Sequence, residues 1–163
     1  MKRLFPLFLI LAALAAVLTF AACEDDDDNG GGGDGDRDGA LPSSVAITLQ
    51  EWAVVPDADT AAAGDVTFNI TNDGPADPHE FVVVQTDLAP DALPTDENGG
   101  VDEAGEGIEV IDEVEEIPVD GFEELSVNLA AGSYVLLCNI EEEEEGEIES
   151  HYQLGMRTGF TVE

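Results

Sequence analysis

The chain has 163 residues, 38 of them acidic against four Lys and Arg, and a formal net charge of −34. All the acids follow residue 22, where only Arg37 and Arg157 oppose them; so negative a surface excludes nucleic acid and anionic lipid as partners. The length after residue 22 suits one domain.

Lys2 and Arg3 precede an apolar run from Leu4 to Ala22 that stops at Cys23. Basic, apolar and small-residue regions in that order make residues 1–22 an export signal. Thr19-Phe20-Ala21-Ala22-Cys23 resembles a bacterial lipobox, with Phe20 in place of the usual aliphatic residue. The resemblance implies lipidation of Cys23 and an extracytoplasmic protein anchored to the cell membrane. An uncleaved anchor is the other reading, since the run is just long enough to span a bilayer. Residues 23–43, with EDDDDNGGGGDGDRDG at 24–39, form an acidic, glycine-rich linker that holds the domain away from the membrane.

From Ser44 the pattern changes. Val45, Ile47 and Leu49 fall on one face, as do Val66, Phe68 and Ile70, and period two predicts half-buried strands. Further β-rich runs occupy residues 52–55, 81–86, 108–111, 125–129, 134–138 and 159–162. About eight strands separated by turn residues predict an all-β antiparallel sandwich over residues 44–163. Ala62-Ala63-Gly64-Asp65 and Ala130-Ala131-Gly132-Ser133 read as tight turns with glycine at positive φ. Residues 87–107 read as a polar surface excursion with at most a helical turn.

The chain has two histidines, two cysteines and two methionines. Setting aside Met1 and Cys23 leaves His79, Cys138, His151 and Met156. A thiolate, two imidazoles and a thioether are the ligand set of a mononuclear electron-transfer copper site, because sulfur stabilises Cu(I) and imidazole accepts Cu(II). His79 opens a strand, Cys138 closes one, and His151 and Met156 lie on the connection into the last strand, with Gly155 easing the turn. Taken singly, each has an ordinary structural reading: a small buried hydrophobe, a hydrogen-bonded core histidine, a gap-filling methionine. Their joint occurrence in an exported chain, where an unpaired thiol is an oxidation liability, favours a metal site.

Pro78-His79, Gly132-Ser133-Tyr134-Val135-Leu136-Leu137-Cys138 and His151-Tyr152-Gln153-Leu154-Gly155-Met156 together resemble the cupredoxin family of plastocyanin and azurin. The resemblance implies a Greek-key β-sandwich with one type 1 copper at one end. His79, Cys138 and His151 would be its strong ligands and Met156 the long axial one, and the activity would be single-electron transfer to a cytochrome or membrane oxidase by a monomer. A copper chaperone or store and a metal-free binding module are the alternatives. An enzyme is not expected: a second copper centre needs more histidines, and two committed to copper leave no general base.

The sequence departs from the family twice. Twelve residues, 139–150, separate Cys138 from His151 where the family has only a few, and they carry the acidic run Glu141–Glu149. Lengthening the loop costs only about 1.2 kcal/mol of closure entropy, well below the free energy of binding a metal. Within it Glu141–Glu145 reads as a solvated tip whose charge lowers the reduction potential modestly, screening acting beyond ~8 Å. Glu80 stands where the family has asparagine; it points to solvent or makes a structural hydrogen bond, with approach to the metal as the alternative.

The acidity itself has two readings, solvation in high salt and docking of a basic redox partner, and charge on nearly every segment favours solvation. Self-repulsion predicts that the melting temperature rises as sodium chloride is raised from ~10 mM to ~1 M. A scan with no rise would mean that the carboxylates are too well separated to repel.

Overall fold

The computed structural model describes residues 40–163 except residue 145. The signal at residues 1–22, the lipidation site Cys23 and the linker up to residue 39 lie outside the described residues. The first sheet contains β1 (Ser44–Gln50), β2 (Ala53–Pro56), β4 (Gly64–Asn72) and β7 (Phe122–Leu129), in the order β2-β1-β4-β7. The second contains β3 (Thr60–Ala61), β5 (His79–Thr86), β6 (Ile108–Ile117), β8 (Gly132–Leu137) and β11 (Arg157–Val162), in the order β3-β11-β8-β5-β6. Between β8 and β11 lie a hairpin, β9 (Glu141–Glu144) with β10 (Glu147–Ser150), and a single helical turn, α1 (His151–Leu154).

Alternation builds the core as the sequence predicts. Val45, Ile47 and Leu49 of β1 and Val66, Phe68 and Ile70 of β4 are buried while their neighbours are more exposed. They meet Phe81, Val83, Leu136 and Phe160 from the second sheet in one cluster. Phe68 centres it, with ring centroids 5.3 Å from Phe81 and 5.6 Å from Phe160, tilted or edge-on as aromatic quadrupoles prefer.

Both sheets are mixed. β1 pairs parallel with β4 and β3 pairs parallel with β11, while the other pairings are antiparallel. A period of two reports which face is buried and carries no information on partner direction, so the two parallel pairs were not legible. Gly64 sits at φ +118°, as its turn demands, but Gly132 is not at positive φ.

Residues 87–107 do more than cross the surface. Val82 and Val84 of β5 and Val135 and Leu137 of β8 are buried on the outer face of the second sheet. Leu93 and Val101 from the excursion, with Tyr152 of α1, complete a second buried cluster there. A strand apolar on both faces needs a cover, and the excursion supplies it, fastened by the Thr95–Val101 bridge. The Tyr152 hydroxyl donates to Pro90 O at 2.7 Å and accepts from Leu93 N at 3.2 Å.

Leu93→Ala should therefore lower stability by about 2–3 kcal/mol in denaturant unfolding. A loss below ~0.5 kcal/mol, typical of an exposed substitution, would return residues 87–107 to a free surface loop.

Candidate metal centre

His79 is the first residue of β5, where a buried amide holds the incoming turn. Asn72 donates through Nδ2 to Asp77 O at 2.9 Å and Ile117 O at 3.0 Å, and its Oδ1 accepts from Gly74 N at 2.9 Å. Glu51, in the β1–β2 turn, accepts from the amides of Ala76 and Asp77 at 3.1 and 2.9 Å. A side chain on Gly74 would run into that carboxylate. Burial opposes the charge on Glu51, but the amides of Asp77 and Ala76 prevail and hold its pKa below the ordinary value.

Cys138 follows the last residue of β8. The β5–β8 ladder pairs Val82 with Leu137, and beyond its end the Glu80 amide donates to Cys138 Sγ at 3.2 Å. Burial pushes the Cys138 thiol up to about 12, against the lowering effect of the Glu80 and Ile140 amides. The thiol is therefore protonated at neutral pH, and a metal held there would displace its proton. Cys138 makes no disulfide among the described residues.

The segment from Cys138 to Met156 is tied back on itself. Cys138 N donates to Met156 O at 3.0 Å, Met156 N to His151 O at 3.0 Å, and His151 N to Ile140 O at 2.9 Å. Ser150 caps α1, accepting from Gln153 N, and its hydroxyl donates to Gly99 O at 2.9 Å. Gly155 adopts φ +128°, a conformation that favours glycine, and lets the chain turn from His151 to Met156.

These elements bring three donors together. One ligand atom each from His79, Cys138 and His151 lies within 4.8 Å of the others, and all three residues are fully buried. His79 Nδ1 and His151 Nδ1 are 3.3 Å apart, and Cys138 Sγ is 3.4 Å from His151 Nδ1. Met156 is equally buried, in the same cluster as Cys138. The outer nitrogens face carboxylates: His151 Nε2 is 2.7 Å from Glu142 Oε1, and His79 Nε2 is 3.9 Å from Glu51 Oε1. Burial, then the neighbouring His151, pushes the His79 pKa down, so the ring is a neutral donor at pH 7. The Trp52 ring lies edge-on to both imidazoles, with centroids 4.8 Å from His151 and 6.4 Å from His79.

The donor set fits a copper ion. Two inward Nδ1 atoms and a thiol sulfur have little reason to converge inside a core unless a cation joins them. Each imidazole has its outer nitrogen toward a carboxylate, the arrangement common behind metal-bound histidine.

The dithionite-reduced auracyanin of the photosynthetic bacterium Roseiflexus castenholzii is similar in structure, at TM-score 0.54 and 22% identity over 76% of this chain and 99% of that one. The fold is the cupredoxin fold. Auracyanin A, a blue copper protein of Chloroflexus aurantiacus, aligns at TM-score 0.47 and 20% identity, covering 74% of this chain and 98% of its own. Rusticyanin aligns at 0.49 and 18%, covering 74% and 76%. No protein-family model matches the sequence, and no curated protein matches it.

Within the cupredoxin fold, two readings of the sequence need correction. The run read as a solvated tip, Glu141–Glu145, begins with the strand β9 of a hairpin, where Glu143 is exposed but Glu141 and Glu142 are held. Glu141 accepts from Asn98 Nδ2 at 2.8 Å and Gly100 N at 3.1 Å, and Glu142 reaches His151. Glu80 points neither to open solvent nor to the histidine–cysteine cluster: its half-buried carboxylate gathers with Glu103 and Glu113, oxygens within 4.8 Å of one another. Trp52 was open to notice as the single tryptophan, whereas Glu51 and Glu142 carry no mark among 38 acids.

Burial, then Glu113, Glu103 and Glu115, raises the Glu80 pKa from 4.5 to about 7. The folded state thus holds a proton that the unfolded chain releases, and stability falls as pH rises from about 4.5 through 7. Glu80→Gln should remove that slope and stabilise the metal-free protein at pH 8 by ~1 kcal/mol, a value discounted for solvent screening. Equal stability of the two proteins at pH 5 and pH 8 would contradict the assignment.

Proposed function

We propose that this protein is an exported single-electron carrier that binds one copper ion through His79, Cys138 and His151, with Met156 as a weak fourth ligand. The observation that carries the proposal is the convergence of two imidazole nitrogens and one thiol sulfur in a fully buried cluster. Copper, when bound, supplies a Cu(II)/Cu(I) couple that imidazole and thiolate accommodate together.

The chain's own part is rigidity. His79 is fixed by the first residue position of a central strand, Cys138 by the end of its neighbour, and His151 and Met156 by a loop closed through three backbone hydrogen bonds. A frame that holds the same donors for both oxidation states keeps reorganisation small, which suits a carrier. Burial of all four side chains favours retention over hand-off and speaks for a carrier over a chaperone. Lipidation at Cys23 would tether the carrier outside the cytoplasm, within reach of a cytochrome or membrane oxidase. No helix among the described residues is long and apolar enough to cross a membrane.

Titrating the purified protein with Cu(II) should give an intense visible thiolate-to-copper band that saturates at one equivalent and is absent from Cys138→Ser. The copper should survive repeated chemical reduction and reoxidation. An identical spectrum from Cys138→Ser overturns the site, and loss of copper to a competing chelator at each reduction overturns the carrier in favour of a chaperone.

A further inference from the structure

The acidic insertion is built to deliver one carboxylate to one ligand. In the β9–β10 hairpin Glu141 pairs with Ser150 and Glu142 with Glu149, so the base of the hairpin lies directly before His151. That base is held from outside by Glu141 on Asn98 and Gly100 and by Ser150 on Gly99. A Cβ on Gly100 would push the Glu141 carboxylate out of this seat. Between these anchors the Glu142 carboxylate, one-third exposed, meets the outer nitrogen of the fully buried His151 at 2.7 Å.

We propose that Glu142 is a positioning residue for His151: it holds the imidazole as the Nε2–H tautomer, presents Nδ1 as the metal donor and biases the site toward Cu(II). The proposal rests on the copper reading above. A carboxylate oxygen accepts hydrogen bonds, so an imidazole that donates to it at 2.7 Å does so as Nε2–H and leaves the inward Nδ1 for a cation. An imidazole whose N–H is engaged by a carboxylate is a more basic ligand, and greater electron donation favours the more highly charged oxidation state. Glu143 tests whether contact or charge alone is responsible, because it stands next to Glu142 in β9 and is exposed.

The test uses the full-length protein and the variants Glu142→Ala, Glu142→Gln and Glu143→Gln. Histidine-selective 15N NMR of the metal-free protein reads two imidazoles, since the chain has two histidines. His151 should be the Nε2–H tautomer with a slowly exchanging ring proton in wild type. That proton should persist in Glu142→Gln, whose amide oxygen still accepts, and exchange rapidly in Glu142→Ala. With copper, Glu142→Ala should lower the ratio of Cu(II) to Cu(I) affinity about tenfold, the lower end of outer-shell effects on metal affinity, a rise of ~59 mV in potential for one electron. Glu142→Gln should shift it less, and Glu143→Gln should leave it at wild type.

An Nδ1–H tautomer in wild type, or equal shifts of potential in Glu142→Ala and Glu143→Gln, overturns the proposal. If wild type takes up no copper, the function proposed above fails instead, and the metal-free spectra still decide the positioning role.

Discussion

Two imidazole nitrogens 3.3 Å apart, with a thiol sulfur 3.4 Å from one of them, impose a demand that the rest of this structure answers. Each inward nitrogen carries a lone pair if its outer nitrogen carries the proton, and a buried polar atom left unpaired costs roughly 1–3 kcal/mol. Sequestering such groups at the end of a sandwich makes physical sense when a cation joins them, because the binding free energy of the metal then becomes part of the stability of the fold.

The surroundings hold the donors in place. The excursion at residues 87–107 covers the apolar outer face of β5 and β8, and the same segment anchors α1 through Tyr152, the cap through Gly99 and the hairpin through Asn98 and Gly100. On the opposite flank, Glu51 and Asn72 organise the turn that delivers His79, and Trp52 packs beside both rings. Packing and the geometry of the donor cluster are therefore carried by the same contacts: loosening the cover would loosen His79, Cys138 and His151.

The strands that face one sheet or the other were legible because alternation is a local property, as in Val45-Ala46-Ile47-Thr48-Leu49. The donor residues were legible because so few histidines, cysteines and methionines exist to choose among. The parallel pairings, the cover over Val82 and Val84 and the hairpin were not, since each depends on contacts between segments remote in the chain. A run of five glutamates has low strand preference and reads as solvent-exposed, yet tertiary hydrogen bonds to Asn98, Gly100 and His151 order its first two residues.

Acidity serves more than one end in this chain. Among the described residues most carboxylates are exposed and solvate the surface, but Glu51 and Glu142 face imidazole nitrogens, and Glu80, Glu103 and Glu113 gather in a separate oxygen-rich group. That group offers hard oxygen donors, whereas the histidine–cysteine cluster offers nitrogen and sulfur. X-ray absorption at the copper edge, on protein loaded with one equivalent, separates them directly. Copper held by His79, Cys138 and His151 has one short sulfur neighbour and two nitrogen neighbours in both oxidation states, with little change between them; a copper surrounded by oxygen alone would contradict that site.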